Sequence, residues 1–416
     1  MNFRTCLVTS LMMSMASLDA SAAQVEVLHW WTSGGEAQAA GVFRNYWQAL
    51  GNEWHDSAIS GGGGGSAMTV LKSRALSDSP PDAAHLKGTE LNEWANLGFL
   101  RNLDAIAENE HWKNVLPEFV QQSVQYDGHF VAAPIGIHRA NWLWINPTIF
   151  KKLNLTIPKT WPEFIATAKV IKNAGIAPLA TSTDEWQLRN IFELIVLGEG
   201  GSDFYRKSMI DLDTNALQSD QMQHILDIFH QLREFVADET NHTKWNQQTQ
   251  LLIHGDVAMQ IMGDWVKGEI TDAHLQPGKD IWCVPSPGSE GMFSYNVDSI
   301  AMFNTKNKTK EDAQYRLVQM IMMDGFQHAF NKVKGSIPVF KQDLITDFDQ
   351  CAQDSLSQLK TAIQHHQLVP SADGMANSGR VKQAFADILT PFFNDPNGNS
   401  KITAHQLARA VLSAKR

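Results

Sequence analysis

Short apolar runs of strand type alternate with stretches of helical periodicity in the N-terminal quarter of the chain. The run VEVLHWW precedes EAQAAGVFRNYWQALG, HDSAIS precedes SAMTVLKSRALS, and DAAHL precedes LNEWANLG. This alternation is typical of a parallel sheet covered by helices on both faces, because parallel neighbours must be joined by a long, usually helical, connection. The sequence therefore predicts the α/β fold class.

The segment before the first run, residues 1–22, has the composition of a signal peptide. Arg4 supplies one early positive charge, the apolar stretch CLVTSLMMSMASL follows, and the small residues Ala20, Ser21 and Ala22 end the segment. The apolar stretch is too short for a permanent membrane span, and no later apolar segment reaches the roughly 18 residues that a span needs. We therefore expect the chain to be exported, cleaved after this segment, and soluble.

The overall charge narrows the classes of binding partner. The formal net charge is -10 and there is no basic block, which argues against nucleic acid and against an anionic membrane surface.

Cys283 and Cys351 are the two cysteines that follow the signal segment. In an oxidising compartment they can form one disulfide or remain two buried thiols, and the sequence alone leaves both possibilities open.

Motifs of the common enzyme and cofactor classes are absent from the sequence. It contains no G-x-S-x-G, H-E-x-x-H or C-x-x-C motif, and no dinucleotide-binding glycine motif between a strand and a helix. The 15 histidines are scattered, and the adjacent His365 and His366 cannot share one face of a helix. We therefore predict no catalytic residues, no metal site and no cofactor.

A run of glycines in ISGGGGGSAMTVLKSRA leads directly into a helical pattern, as phosphate-binding loops do. The run lacks the Gly-Lys-Ser/Thr ending of a P-loop. The sequence instead predicts a strand-to-helix turn whose backbone comes close to a ligand or to a neighbouring lobe.

Several of the 13 tryptophans stand beside polar residues in predicted loops. Trp186 occurs in TDEWQLRN, and Trp265 occurs in GDWVKGE. An indole face stacks on the C–H face of a sugar ring, while neighbouring carboxylates, amides and ammonium groups bind its hydroxyls. This combination favours a sugar ligand. Most of the other tryptophans are expected to be core residues, among them Trp47, Trp94, Trp112 and Trp161.

Trp30 and Trp31 end the first predicted strand. Adjacent strand residues point to opposite faces, so both indoles are buried only if the strand end is covered on each side. At the carboxyl end of the first strand of an open α/β sheet, a ligand commonly provides that cover. We therefore expect at least one of the two indoles to contact a ligand.

Several motifs in a fixed order give the chain a resemblance to a known family. HWWTSGGE, YNVDS and VKGSIP are the most specific, and LLIHGDVAMQIMGDW and DGHFVAAPIGIHRANWLWINPTIFKKLNLTIPKTWPEF accompany them. Over nearly the whole mature chain they resemble the extracellular sugar-binding proteins of bacterial ABC importers, and most closely the periplasmic glucose- or mannose-binding branch. The resemblance implies a two-lobed periplasmic binding protein fold of type II, a clamshell that closes on a sugar.

In such a fold the chain crosses between the lobes three times. We expect the crossings at residues 133–141, 292–301 and 335–342, where an apolar strand-like stretch meets a change of element, as a hinge requires. The implied division gives lobe one residues 24–134 and 294–337, and lobe two residues 135–293 and 338–416.

The tryptophan pattern and the resemblance together imply nine sugar-binding residues. Glu36 and Asp298 would accept hydrogen bonds from hydroxyls, and Lys87 and Lys334 would donate them. The indoles would stack on the sugar ring. The full set is Trp30, Trp31, Glu36, Lys87, Trp186, Trp265, Asp298, Lys334 and Asp373.

Asp373 departs from the pattern of the glucose-binding branch. That branch has a histidine before the Gly-Met-Ala of this segment, where the present chain reads PSADGMANS. A neutral imidazole can donate to a sugar oxygen, whereas an ionised carboxylate can only accept. Asp373 could reverse one hydroxyl contact, admit another epimer or an amino sugar, or withdraw from the site.

The implied function is capture of a monosaccharide by a periplasmic monomer and its delivery to an ABC permease in the inner membrane. A cleft lined by bulky tryptophans has limited length, which favours a monosaccharide. One alternative is a secreted glycoside hydrolase that uses Glu36 and Asp298, whose carboxyl groups would have to lie roughly 5 to 9.5 Å apart. A second alternative is a binder of an oligosaccharide or amino sugar, including a ligand carrier for a chemoreceptor.

Overall fold

The structure, a computed structural model, describes residues 23–182, 184–237, 244–341 and 345–415. The predicted signal peptide, residues 1–22, lies outside the described residues. Within the described ranges, none of the helices combines the length and the hydropathy that a membrane span needs.

The described residues form twelve strands and eighteen α-helices, numbered in chain order. The strands are β1 (Gln24–His29), β2 (Glu53–Ala58), β3 (Ala83–Leu86), β4 (Gln125–Tyr126), β5 (His129–Phe130), β6 (Ala132–Arg139), β7 (Trp142–Ile145), β8 (Ala177–Ala180), β9 (Val257–Ile261), β10 (Trp282–Pro285), β11 (Phe293–Met302) and β12 (Leu368–Pro370). The helices are α1 (Gly34–Ala49), α2 (Gly65–Leu76), α3 (Thr89–Asn96), α4 (Asp104–Asn109), α5 (Trp112–Val115), α6 (Glu118–Ser123), α7 (Pro147–Lys152), α8 (Trp161–Asn173), α9 (Glu185–Tyr205), α10 (Thr214–Leu217), α11 (Asp220–Leu232), α12 (Trp245–His254), α13 (Val266–Asp272), α14 (Lys308–Ile321), α15 (Asp324–Lys334), α16 (Gln350–Gln364), α17 (Gly379–Asn394) and α18 (Ser400–Ala414).

Helix α8 shows how local sequence sets the helix bounds. Thr160 precedes the helix in an extended conformation, and its hydroxyl oxygen accepts a hydrogen bond from the Glu163 amide at 3.3 Å. Pro162 occupies the first turn, where its missing N–H costs no helical hydrogen bond. Gly175 follows the helix with φ 76°, a left-handed conformation that glycine adopts without strain.

Lobe one is built on a six-stranded sheet of order β12-β11-β3-β1-β2, with β6 paired to β11. The predicted parallel arrangement is confirmed for β1, β2 and β3. It is wrong for the wider sheet, because β11 runs antiparallel to both β3 and β6. The strands β6 and β11 lie beside the chain's passages to and from the second lobe, so their direction is not set by the strand–helix–strand repeat.

Lobe two is built on a four-stranded sheet of order β10-β7-β9-β8. Only β8 and β9 are parallel within it, and the other two pairings are antiparallel. Its largest apolar core includes Trp161, Phe192 and Phe229. The predicted α/β class with two lobes is confirmed.

The three segments expected to cross between the lobes lie side by side. Ile137 in β6 is opposite Val297 in β11, and it also exchanges both backbone hydrogen bonds with Ile337, at 2.8 and 2.9 Å. Val339 in the third segment and Leu359 beyond it are both buried in the core of lobe one. Helix α16 therefore lies against lobe one although it follows the third of these segments.

The tryptophans expected in the core are buried, with at most 4% of their surface exposed: Trp47, Trp94, Trp112 and Trp161. The structure also decides between the two states that the sequence left open for the cysteines. Cys283 in β10 and Cys351 in α16 form a disulfide, with Cα atoms 6.1 Å apart. This bond ties the edge of the lobe-two sheet to a helix that packs on lobe one.

Candidate functional site

A cavity lies between the lobes, where the carboxyl ends of β1 and β3 face the first turns of α9 and α13. Its empty volume, including its opening to solvent, is about 630 Å³. We call it the cleft cavity, and its lining residues are Trp30, Trp31, Glu36, Gly62, Gly63, His85, Lys87, His138, Trp186, Asn190, Trp245, Trp265, Asn296, Asp298, Lys334, Ser371, Asp373 and Gly374. All nine residues predicted from the sequence are among them.

Trp30 and Trp31 form one wall of the cleft cavity. Strand β1 ends one residue earlier, at His29, so the expected strand alternation is wrong for this pair. Both indoles contact the imidazole of His85, with ring centroids 4.0 and 4.7 Å apart. They are 6% and 2% exposed, so protein atoms supply most of their cover. The pair and His85 therefore form one aromatic cluster at the ends of two parallel strands.

His29 fixes the backbone that carries this cluster. Its Nδ1 accepts a hydrogen bond from the Trp31 amide at 3.2 Å, so Nδ1 carries no proton. Its Nε2 lies 2.7 Å from the Asp56 carboxylate and therefore carries the proton that it donates there. Two hydrogen bonds thus select one tautomer and one ring orientation, which sets the position of Trp31.

Glu36 and Lys334 form an ion pair beside the indoles. Glu36 lies in the first turn of α1, and Lys334 is the last residue of α15. Lys334 Nζ lies 3.2 Å from Glu36 Oε1, and the lysine side chain is 3% exposed. The pairing offsets the desolvation of the ammonium and leaves further donor and acceptor positions for a ligand.

Asp298 lies at a bulge of β11 and connects a buried chain of histidines and carboxylates. His138 Nδ1 is 2.5 Å from Asp264, and its Nε2 is 3.3 Å from Asp298, which is also 3.3 Å from His85 Nε2. Burial alone would raise the pKa of Asp298, yet His85 and His138 hold that pKa well below its usual range. Burial would lower the pKa of His138, but Asp264 and Asp298 raise it. Asp298 is therefore an ionised acceptor, and its charge favours the cationic form of the neighbouring His138.

Three residues that line the cleft cavity have buried polar atoms without a protein hydrogen-bond partner. These atoms are Nδ1 of His85 and the Oδ1 atoms of Asn190 and Asn296. Buried polar atoms without partners are costly, so they require a partner from a ligand or water. Lys87 Nζ adds a cation 5.7 Å from the Trp30 ring centroid.

The facing wall comes from lobe two and carries further indoles. Trp186 is the second residue of α9 and packs against the glycine turn of lobe one, since a Cβ placed on Gly62 would lie 3.0 Å from its ring. Trp265 precedes α13 and meets His138 edge-on at 5.9 Å. The glycine run thus brings its backbone close to the other lobe, as the sequence predicted.

Asp373 reaches the cleft cavity from the helical turn Ala372–Ala376. Its Oδ1 accepts a hydrogen bond from Arg189 Nε at 2.5 Å, and its backbone amide donates to Glu193 at 3.0 Å. Burial and the nearby Asp373 raise the pKa of Glu193 to about 7. Asp373 therefore stays at the cavity wall as one half of an ion pair.

Sequence reasoning missed six side chains of the cavity wall: His85, His138, Asn190, Trp245, Asn296 and Ser371. For two of them, the sequence contains a spacing that could have predicted their position. His85 lies two residues before Lys87, and Asn296 lies two residues before Asp298. Residues two apart in a strand share a face. Within the described ranges, the structure contains no group of three or more histidine, cysteine, aspartate or glutamate residues that could hold a metal ion.

Comparison with known proteins decides the family. Residues 35–314 match the family described as bacterial extracellular solute-binding protein, which is more than half of the chain. The chain belongs to this family. Two relatives are each named a probable sugar-binding periplasmic protein. The one from Rhizobium meliloti (strain 1021) is 39% identical over 414 residues, 99% of each chain, and the one from Brucella suis biovar 1 (strain 1330) is 40% identical over 392 residues, 94% of this chain and 92% of the relative.

This solute-binding protein also has the fold of solved structures with low sequence identity. AcbH, a bacterial solute receptor described as having an exclusive preference for β-D-galactopyranose, matches with a TM-score of 0.80 at 15% identity, over 94% of this chain and 98% of that chain. A chitin oligosaccharide binding protein matches with a TM-score of 0.79 at 16% identity, over 94% and 99% of the two chains. Identities this low establish the shared fold alone.

Proposed function

We propose that this solute-binding protein is the periplasmic component of an ABC sugar importer. It binds a monosaccharide of the glucose or mannose type in the cleft cavity and delivers it to a membrane permease. The two relatives named as sugar-binding periplasmic proteins support the ligand class and the compartment. The observation that carries the proposal is the cleft cavity itself, where indole faces surround charged pairs and unpartnered buried polar atoms.

The chemistry of the cavity wall suits a neutral hexose. An indole face covers the C–H face of a pyranose, and each ring hydroxyl needs a directional donor or acceptor. Asp298 supplies an ionised acceptor, Lys87 supplies donors, and His85 and Asn296 have polar atoms that a hydroxyl can satisfy. Charged partners and a dry site strengthen these hydrogen bonds.

The proposed mechanism is capture by closure of a monomer. Along the chain, lobe one is assigned residues 24–134 and 294–337 and lobe two residues 135–293 and 338–416, although β12 and α16 of the last range pack against lobe one. The three adjacent crossing segments act as the hinge. A sugar that contacts both walls binds the closed state better than the open one and therefore shifts the population towards it. The closed form then docks on the permease.

The charge state of the carboxylates argues against the alternative of a glycoside hydrolase. A hydrolase needs a carboxylic acid with a raised pKa, whereas the pKa of Asp298 is lowered and Glu36 is paired with Lys334. Glu193 has a raised pKa, but it does not line the cleft cavity and its oxygens accept hydrogen bonds from Ser371 and the Asp373 amide.

Asp373 favours a neutral sugar over an amino sugar in this proposal. A lone carboxylate would attract the ammonium group of a hexosamine. Arg189 already provides a cation at 2.5 Å from Oδ1, so the carboxylate remains available as an acceptor without demanding a charged ligand.

A longer saccharide is the second candidate, and one observation favours it. An outer cavity shares Gly62, Gly63, Trp186 and Asp373 with the cleft cavity and continues between α2 and α9. A second sugar unit could extend past Trp186 into this space. The chitin oligosaccharide binding protein shows that the fold is compatible with such a ligand.

The test is isothermal titration calorimetry of the mature protein with D-glucose, D-mannose, D-galactose, D-glucosamine, maltose and chitobiose, with thermal shift as a parallel screen. We expect one of the neutral hexoses to bind most tightly and to raise the melting temperature. Tighter binding of a disaccharide would favour the second candidate. Steady release of a chromophore from nitrophenyl glycosides would contradict the carrier function.

A further inference from the structure

Helix α1 of lobe one and helix α13 of lobe two meet at Gly34, Gly35 and Gly268, beside the cleft cavity. Helix α1 packs in the core of lobe one through residues such as Phe43. Helix α13 packs in a core of lobe two through Val266 and Ile270. Their contact therefore joins two bodies that are anchored in separate cores.

The backbones approach so closely that side chains are excluded. A Cβ on Gly35 would lie 2.3 to 2.7 Å from the backbone C, Cα and O atoms of Gly268. A Cβ on Gly268 would lie 3.2 Å from Gly35 Cα and 3.4 Å from the Val333 carbonyl oxygen. The first set of distances is well inside van der Waals contact, and backbone atoms cannot rotate away as the end of a side chain can.

The close approach lets lobe two cap a helix of lobe one. Ser33 occupies the position before α1, but its side chain makes no capping hydrogen bond. The Gly35 amide instead donates to Glu269 Oε1 at 3.0 Å, and Glu269 is 2% exposed. A carboxylate at this end also interacts favourably with the helix dipole. The first turn of α1 is therefore completed only when the two lobes are together.

This turn carries a residue of the cleft cavity. Glu36 follows Gly35 directly, and its Oε1 lies 3.2 Å from Lys334. Lys334 in turn follows Val333, whose carbonyl oxygen borders Gly268. Separation of the lobes would remove the acceptor of the Gly35 amide and free the turn that positions Glu36.

We propose that Gly35 and Gly268 form a closure seam, and that Glu269 is a positioning residue that caps α1 across the cleft and so holds Glu36 in its ligand-binding position. The inference rests on the proposed function and deepens it. It identifies a contact between the two lobes, separate from the contacts to the ligand, that must form in the closed state. Glycine at both positions lets the two helices pack with their backbones in direct contact. A single added methyl group is therefore enough to keep the lobes from closing fully.

The chain offers a graded series of substitutions with its own control. Gly35→Ala places a methyl group against the Gly268 backbone, Gly268→Ala places one in tighter than ordinary contact, and Gly41→Ala on the same helix meets only the end of the Arg44 side chain at 3.8 Å. Alanine favours a helix over glycine, so the unliganded melting temperature of all three variants should stay at or above that of the wild type.

The experiment measures hexose affinity by calorimetry, with D-glucose and D-mannose as the probes, together with the melting temperature of each unliganded protein. Gly35→Ala should weaken binding by at least about tenfold, Gly268→Ala by less, and Gly41→Ala by no more than about twofold. Equal affinities of the Gly35→Ala and Gly41→Ala proteins would overturn the inference.

The capping role has a separate readout. Glu269→Ala should weaken binding by about tenfold without lowering the unliganded melting temperature, whereas Glu269→Gln should restore most of the affinity because the amide oxygen can still accept from the Gly35 amide. Equal losses in both variants would overturn the capping role. If the wild-type protein binds neither hexose, the proposed function fails and the inference fails with it, and the wild type alone reveals that outcome.

Discussion

The two walls of the cleft cavity are built from different secondary structure. The lobe-one wall stands on the carboxyl ends of neighbouring strands, where Trp30, Trp31 and His85 form one aromatic cluster within a single lobe. The lobe-two wall comes from the first turns of helices and from one helical turn, with Trp186 and Asp373 as its main side chains at the mouth. The first wall is fixed by strand pairing, and the second is fixed mainly by side-chain pairs.

This difference in construction indicates that the two walls contribute differently to ligand binding. His29 and His85 hold the lobe-one indoles by hydrogen bonding and stacking that do not depend on lobe two. A preorganised wall of this kind loses little conformational freedom when a ligand binds. Trp186 instead packs on the glycine turn of lobe one, so its position depends on closure. We expect lobe one to supply most of the affinity and lobe two to adjust selectivity.

The largest expected effect comes from the residue that connects both walls. Asp298→Ala removes the ionised acceptor and leaves His85 and His138 without their common partner. Loss of one member of a buried charge pair costs roughly 2–5 kcal/mol, so hexose affinity should fall by about 30-fold to a few thousand-fold in calorimetry. Asp82→Ala is the control, because Asp82 is buried and paired with Lys310 but does not line the cleft cavity. Unchanged affinity after Asp298→Ala would remove this residue from the site.

The second effect separates the walls directly. Trp30→Ala should weaken hexose binding by about 30-fold or more, as expected for a buried aromatic anchor, while Trp186→Ala should cost only a few-fold. Both are measured by calorimetry beside Trp47→Phe, which alters a fully buried core tryptophan and should lower the melting temperature without changing affinity. Equal losses at Trp30 and Trp186 would break the proposed division between the walls.

The third effect concerns selectivity. Asp373→Asn removes the carboxylate that Arg189 holds at the cavity wall, and it should change hexose affinity by less than about tenfold while altering the ratio between epimers such as D-glucose and D-mannose. Arg189→Gln should raise affinity for D-glucosamine relative to D-glucose, because it leaves the Asp373 carboxylate without its cation. Competition titrations measure both ratios. An unaltered preference in both variants would exclude this pair from ligand selection.

The smallest effect on affinity is expected for Glu193, which contacts Ser371 and Asp373 of the lobe-two wall but does not line the cleft cavity. Burial and Asp373 raise the pKa of Glu193 to about 7 from an ordinary value of 4.5, so the folded protein binds more protons than the unfolded chain between these pH values. The free energy of unfolding therefore falls as pH rises through this window, by on the order of 3 kcal/mol from this group. Glu193→Gln should flatten that part of the profile in urea titrations and leave hexose affinity near that of the wild type.

The control for this profile lies on the same helix. Glu185 is half exposed at the start of α9, and Glu185→Gln should reproduce the pH profile of the wild type. A Glu193→Gln protein whose stability falls with pH as steeply as that of the wild type would show that Glu193 is not the group responsible.

Local patterns in the sequence were sufficient to predict the types of secondary structure and many of the residues of the candidate site. The alternation of apolar runs and helical periods predicted the α/β class, and the order of motifs implied two lobes. The motifs around Trp30, Asp298 and Lys334 predicted residues that the structure places around one cavity. Such signals are readable because strand and helix periodicities and short motifs are properties of neighbouring residues.

The tertiary structure decided what depends on residues far apart in the chain. It paired Cys283 with Cys351, turned Trp30 and Trp31 towards the same His85 ring, and placed Arg189 on Asp373, which is 184 residues away. It also made most of the strand pairings other than those among β1, β2 and β3 antiparallel.

The sequence by itself therefore determined the elements, the class of ligand expected and nine candidate residues. Only the folded arrangement determined which of those residues are paired, which are buried, and which polar atoms lack a partner. The physical reason is that pairing, burial and charge state arise from the approach of side chains across the cleft, and no local pattern encodes that approach.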